Sequence, residues 1–262
     1  MSEADSELRR LLDNPAFPRS RAYEPRWVLD NLMGPNVLWL AEALSHVLEL
    51  KPGMRVLDLG CGRALSSIFL AREFGVQMWA ADLWIKPTEN WHRVIERGVA
   101  DRVFPVHAEA HQLPFAAGFF DAIVSLDAYH YFGTDDWYIG YITRFVAPGG
   151  RLGIVVPGLA GSWEAASNAL KAHFRNWELW TFHGPAWWRG RWQRSGLVEV
   201  EHADLVPDGW RHWVQSDRAS GYDQQDPAWL AALEADAGRT LGFTRVVGKV
   251  LPIAVAPHAG LP

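Results

Sequence analysis

Short apolar runs alternate with stretches of helical period through the first 156 residues, and the alternation predicts strands separated by helices. The runs at 54–59, 76–81, 103–108, 120–125 and 151–156 read as buried strands. The stretches at 64–74 (closed by Gly75), 88–98 and 135–146 carry the helical spacing. Such an order specifies a parallel sheet with helices on both faces. Ahead of it, Ser6 to Leu12 puts Leu8, Leu11 and Leu12 on one helical face, and the proline-containing stretch to Arg26 reads as a flap or arm. Asn36 is the expected N-cap of an apolar helix from Val37 to Leu48, ended by Lys51-Pro52-Gly53.

Beyond Pro157 the pattern changes. Eight of the 15 tryptophans fall between Trp163 and Trp213. Pro185 to Arg194 still reads as a helix, Leu197 to Glu201 as an alternating strand, and Leu241 to Leu251 as a closing strand. The segments 158–184 and 206–240 exceed ordinary connections and read as a substrate cap. The expected organisation is therefore an arm over 1–36, a core over 37–157, cap insertions at 158–184 and 206–240, the remainder of the core at 185–205 and 241–255, and a loose tail from 256.

Composition narrows the function. A chain of 262 residues with 49% hydrophobic content can bury a sizeable core. A net charge of −5 with scattered arginines offers no field for phosphate backbones, so nucleic acid is not an expected partner. There is no apolar run long enough for a membrane span, and the acidic opening from Met1 to Asp13 lacks the features of a signal peptide, so the protein reads as cytoplasmic. The lone Cys61 cannot form an internal disulfide and reads as a small buried filler. His107/His111 and His202/His212 lack further ligands at metal spacing, so no metal is expected. Oligomeric state has no signature in the sequence.

The most informative run is Val56-Leu57-Asp58-Leu59-Gly60-Cys61-Gly62, an apolar strand ending in an acid and two glycines. Glycine serves where the chain needs positive φ, or where a ligand must approach the main chain closely. A dinucleotide site would carry a third glycine at Leu65, so a nicotinamide-dependent oxidoreductase is disfavoured. A second strand, Val76 to Ala81, closes on Asp82, 24 positions after Asp58, followed by Leu83. An ionised carboxylate there can accept from both ribose hydroxyls of an adenosine. Then come Glu109-Ala110-His111-Gln112-Leu113-Pro114-Phe115, Phe119 to Ser125, and Pro148-Gly149-Gly150 leading into Arg151 to Val156.

These four stretches, in order and spacing, resemble class I S-adenosylmethionine-dependent methyltransferases of the small-molecule (type 11) group. The resemblance implies a Rossmann-like α/β fold: a seven-stranded, mostly parallel sheet with its last strand antiparallel beside the fifth, plus a helical, aromatic-rich cap. It implies S-adenosyl-L-methionine as cofactor, with Asp58 near the methionine ammonium, Gly60, Cys61 and Gly62 beneath the sugar, and Asp82 and Leu83 at the ribose. Glu109 and Ala110 would meet the adenine, and Ser125 closes the set. Ala64 stands where the family usually has a third glycine, and on helix propensity alone alanine is a mild change.

Methyl transfer is an in-line displacement governed by positioning and desolvation. The loop after the fourth strand, Leu126-Asp127-Ala128-Tyr129-His130-Tyr131, should flank the transferred methyl. His130 as general base, or Tyr129 or Tyr131 as orienting group, are alternatives, and Asp127 can hold the acceptor or cap a helix, although Asp135 is the better cap. Tyr23 and the Met33-Gly34-Pro35-Asn36 turn sit where relatives fold over the cofactor, and Trp187 and Trp188 stand for the cap aromatics that pack a ring or cradle an amine. The expected partner is a small-molecule substrate, aromatic or amine. The Asn/Asp-Pro-Pro-aromatic signature of base methylation is absent. A non-catalytic, regulatory binder of the same nucleoside remains the alternative.

Overall fold

The computed structural model describes residues 3–174 and 180–252; the expected tail from 256 lies outside them. Three helices open the chain: α1 (Glu3–Leu11), α2 (Pro25–Asn31) and α3 (Val37–Ser45). Asn36 caps α3 through its side chain, which accepts from the Leu38 amide at 3.1 Å. The alternating core follows, with β1 (Arg55–Leu59), α4 (Leu65–Phe74), β2 (Gln77–Asp82), α5 (Pro87–Glu96), β3 (Val103–His107) and β4 (Phe120–Leu126). It continues through α6 (Tyr138–Ile142), β5 (Val146–Leu159), α7 (Asn168–His173), α8 (Pro185–Arg194) and β6 (Val198–Leu205). Helices α9 (Gly209–Ser220), α10 (Tyr222–Gln225) and α11 (Pro227–Asp236) precede the last strand, β7 (Leu241–Val250).

The seven strands lie in the order β3-β2-β1-β4-β5-β7-β6. The first five are mutually parallel, and β7 runs antiparallel between β5 and β6, as the resemblance implied. Neighbouring residues of β1 point to opposite faces: Val56 joins a core with α3, α4 and the arm, while Leu57 joins one with α6 and α8. Both faces are covered, which is why β1 carries adjacent apolar residues, Val56 and Leu57, instead of a strict alternation of apolar and polar positions.

Two expected elements come out differently. The helix expected at 135–146 is only the short α6 followed by a 3-10 turn, Thr143–Phe145. Asp135 accepts from the Trp137 amide at 2.8 Å one turn ahead of the helix, capping the approach to it. The Pro148-Gly149-Gly150 turn lies inside β5, where pairing with β4 shifts register between Phe120 and Ala122. Gly149 there has φ +80°, so the chain bends without leaving the sheet.

Helices α7, α9, α10 and α11 pack together over a third cluster that contains Leu170, Phe182, Val214, Trp229 and Leu233. They stand above the carboxyl ends of the parallel strands, beside the arm. Glu42 of α3, buried, ties the arm to the core by accepting from the Arg19 and Ser20 amides at 3.0 and 3.2 Å. Among the described residues no helix is long and apolar enough to cross a membrane.

Candidate active site

Strands β1, β2 and β4 end along one edge, and the loops leaving them build a cleft of about 340 Å³. The glycine loop after β1 is pinned to β2, because the Gly60 and Cys61 amides both donate to the Ala81 carbonyl, at 2.9 and 3.1 Å. Gly60 and Gly62 have φ of +75° and +53°. A Cβ on Gly60 would run into Ala128 of the loop after β4, so this close crossing of two loops itself requires glycine.

Asp82 organises the same edge. One carboxylate oxygen accepts from the Gly62 amide at 2.9 Å, and the other from Trp84 and Ile85 at 2.7 and 2.9 Å. Three fixed donors orient the group while a carboxylate's acceptor capacity leaves room for a ligand hydroxyl. Gly60, Cys61, Gly62, Asp82, Leu83, Glu109 and Ala110 all line the cleft. Glu109 is turned back on its own loop, accepting from the His111 amide and facing its Nδ1, each at 2.9 Å. The Cys61 thiol is buried and pushed well above its usual range by desolvation, then by Asp58 and Asp82, which fits an inert filler.

Asp58 and Ser125 do not reach the cleft. Asp58 is fully buried and accepts through one oxygen from the Ser66 and Ser67 hydroxyls, at 2.5 and 2.7 Å. Its carboxyl is raised to about 6, mainly by desolvation, which the two serines oppose and Asp82 reinforces. It anchors the start of α4 beneath the glycine loop. Ser125 donates to the Leu59 carbonyl at 2.7 Å and braces β4 against β1. Strand ends alone do not distinguish an acid that faces the ligand from one that faces the next helix.

Ala64 is more than a mild helix residue. It has φ +61° and ψ +20°, in the left-handed region, and sits fully buried as the residue before α4. The family glycine at this place answers a backbone requirement, so helix propensity was the wrong quantity to weigh.

The loop after β4 distributes its side chains in three directions. Asp127 takes φ +55°, lines the cleft and also lines a second cavity of about 640 Å³ under the cap. Tyr129 turns behind the sheet, fully buried against Tyr138, Trp188 and Trp192, so it does not face the site. His130 turns the other way and lines the cap cavity. It is 1% exposed, and its Nδ1 has no partner among the described residues. Burial holds its imidazole down to about 3. Tyr131 lines both spaces, as do Met33, Gly34 and Pro35 of the arm turn. Desolvation raises the Asp127 carboxyl to about 7, and no hydrogen bond or ion pair among the described residues engages it.

Three further expectations need correction. Tyr23 is buried against Phe69 and donates to Glu73 at 3.1 Å, lining neither space. It borders instead a separate cleft of about 390 Å³ under the arm, to which no strand contributes. Trp188 is fully buried behind the sheet, and Trp187 stacks on His183 at 3.6 Å between ring centres, so neither lines the cap cavity. The cap-cavity aromatics are Phe174, Phe182, Trp213, Tyr222 and Trp229, joined by Asp217, Asp226 and His173. Trp213 and Asp217 lie four apart in α9, a spacing that places them on one helical face and that could have been read beforehand.

Residues 56–150 match the methyltransferase domain family. The 27-O-demethylrifamycin SV methyltransferase of Amycolatopsis mediterranei is 33% identical over 128 residues, 47% of each chain. The demethylmenaquinone methyltransferase of Thermus thermophilus is 32% identical over 133 residues, 49% of this chain and 59% of that one. The matched region thus spans about half the length of such relatives. In fold, phosphoethanolamine N-methyltransferase 2 of Haemonchus contortus, solved with S-adenosyl-L-methionine, superposes with a TM-score of 0.69 at 20% identity, over 94% of this chain and 60% of that chain. Geranyl diphosphate C-methyltransferase of Streptomyces coelicolor gives 0.65 at 16% identity, over 95% and 98%. Residues 56–150 thus form a methyltransferase domain, and with the glycine loop, the Asp82 cradle and the strand order 3-2-1-4-5-7-6 in place, the chain is similar in sequence and fold to S-adenosylmethionine-dependent methyltransferases.

Proposed function

We propose that this protein transfers a methyl group from S-adenosylmethionine to a small molecule seated in the cap cavity. The observation that carries the reading is that Asp127, Tyr131, Met33, Gly34 and Pro35 line both the strand-end cleft and the cap cavity, so a donor in one would abut an acceptor in the other. The donor shell is Gly60, Cys61, Gly62, Asp82, Leu83, Glu109 and Ala110. Asp82 is placed to take the ribose, and the αL-shaped glycine loop admits close approach to main-chain amides.

When bound, S-adenosylmethionine supplies an electrophilic methyl on a sulfonium: an acceptor lone pair forms the new bond, the C–S pair returns to sulfur, and a proton leaves the acceptor. Asp127 is the group we assign to receive that proton. It stands at the seam of the two spaces, and its carboxyl near 7 suits proton transfer at neutral pH, whereas His130 near 3 is too weak a base for the task. His130 instead offers a neutral, unpaired nitrogen to the acceptor. The single, free and buried cysteine is compatible with the reducing cytoplasm.

Incubating the protein with S-adenosylmethionine and a panel of polar small molecules, and following S-adenosylhomocysteine by mass spectrometry, tests the reading. Turnover that Asp127→Asn lowers by about 100-fold or more supports it. Cofactor binding without turnover across the panel points to a regulatory binder.

A further inference from the structure

The walls of the cap cavity have an unusual charge balance. Its carboxyl and imidazole lining residues are Asp127, Asp217, Asp226, His130 and His173, and no lysine or arginine is among its described lining residues. Aromatic rings fill much of the remainder: Tyr131, Phe174, Phe182, Trp213, Tyr222 and Trp229. Of the three acids, Asp226 is committed within the cap. It accepts from the Trp229 amide at 2.9 Å, capping α11, and its second oxygen lies 3.5 Å from His173 Nδ1. Asp217 is 8% exposed and accepts at 2.9 Å from the Trp229 indole N–H, a neutral donor. Asp127 has no described partner, and beside it the 1%-exposed His130 leaves Nδ1 unpaired.

Desolvation raises Asp217 to about 6, a rise that the Trp229 hydrogen bond opposes and nearby Asp223 reinforces. Two partly desolvated carboxyls in one cavity, without a described cation to balance them, are costly as anions until a positive charge enters. The same lining would repel a phosphate or carboxylate. The rings add to the preference, because an ammonium beside indole faces gains attraction that a neutral group does not. Trp213 and Trp229 stand with ring centres 5.6 Å apart, one edge toward the other, next to the Asp217 carboxylate.

We propose that the acceptor carries a protonated amine, held by Asp217 beside Trp213 and Trp229, while a different O–H or N–H of the same molecule reaches Asp127. Asp217 lines only the cap cavity, whereas Asp127 lines both spaces, so anchor and proton acceptor are separate groups. An ammonium has no lone pair to receive a methyl, which is why the methylated atom must be another one. The inference rests on the methyl-transfer reading above, and it narrows the acceptor to amine-bearing small molecules without anionic groups.

The test is calorimetric titration of the full chain, presaturated with S-adenosylhomocysteine, with three probes of similar shape: phenethylammonium, 2-phenylethanol and phenylacetate. The expected order is ammonium tightest, by about tenfold over the alcohol, with phenylacetate weakest. Asp217→Asn, which keeps an oxygen for the Trp229 indole, should abolish the ammonium preference and leave the S-adenosylhomocysteine affinity unchanged. Asp217→Glu should restore part of it. Absence of ammonium binding with the nucleoside in place, equal binding of alcohol and ammonium, or a preference that survives in Asp217→Asn overturns the inference. Failure of S-adenosylhomocysteine to bind at all is a different result and overturns the methyl-transfer reading beneath it.

Discussion

Gly34 lies so close to Asp127 that a Cβ on it would come within 2.5 Å of the carboxylate Oδ2. The arm turn and the loop after β4 therefore meet at the point where the two cavities join, and glycine is the residue that lets them. Gly34→Ala should push the Asp127 carboxylate aside and lower kcat/KM by about 10- to 100-fold, the scale of a displacement near 1 Å at a reacting centre. The effect should largely vanish when Asp127→Asn is already present, because the two changes then act on the same group. Full and additive losses in the double variant would separate Gly34 from Asp127.

Asp127 also predicts a pH signature in stability. Its carboxyl stands near 7 in the folded protein against an ordinary 3.8, so between those values the folded state holds a proton that the unfolded state has released. Stability from this group is present below about pH 4 and is lost as pH rises towards 7. Asp58 and Asp217 act with the same sign, and His130, held near 3, with the opposite one. All three are common to wild type and Asp127→Asn, so their contributions cancel in the comparison. The variant should match wild type in Tm at pH 4 and exceed it by several degrees at pH 8. A Tm difference that does not change with pH would remove Asp127 from the set of desolvated acids.

Ala64 is a place where the chain works against itself. An alanine with φ +61° costs about 1–2 kcal/mol relative to an unstrained residue, part of which glycine would return as added freedom in the unfolded chain. Ala64→Gly should stabilise the protein by about 1 kcal/mol, seen as a higher denaturation midpoint at unchanged slope. Equal or lower stability would mean that the packing of its methyl, which is fully buried, outweighs the backbone strain.

The sheet was legible because both its faces are covered, which leaves runs such as Ala122-Ile123-Val124 of β4 continuously apolar between helical stretches. The cleft edge was legible where backbone geometry dictates residue type, at Gly60 and Gly62, and where an acid ends a strand, at Asp82. Asp58, Ser125 and Tyr129 misled for a single reason. Each sits at or just beyond a strand end near the site, and sequence position alone does not say whether its side chain turns toward the cleft, the next helix or the far face. The cap was harder still. Trp187 and Trp188 look like pocket aromatics by composition but belong to α8 behind the sheet, while Trp213 and Trp229 reach the cavity only because α9 and α11 fold back over it. The spacing of Trp213 and Asp217 marks a shared helical face, but which tryptophans reach the cavity is decided by long-range packing.

The central claim is that the strand-end cleft is built for S-adenosylmethionine around Asp82, and calorimetric titration addresses it most directly. The purified protein would be titrated with S-adenosylmethionine, S-adenosylhomocysteine and NAD, and the best ligand repeated on Asp82→Ala with folding verified by circular dichroism. The expected result is binding of both sulfur nucleosides, none of NAD, and a loss of at least about tenfold in the variant, the scale of removing a hydrogen bond to a charged group. Binding of NAD in preference to both nucleosides, or affinity unaffected by the loss of Asp82, would contradict it.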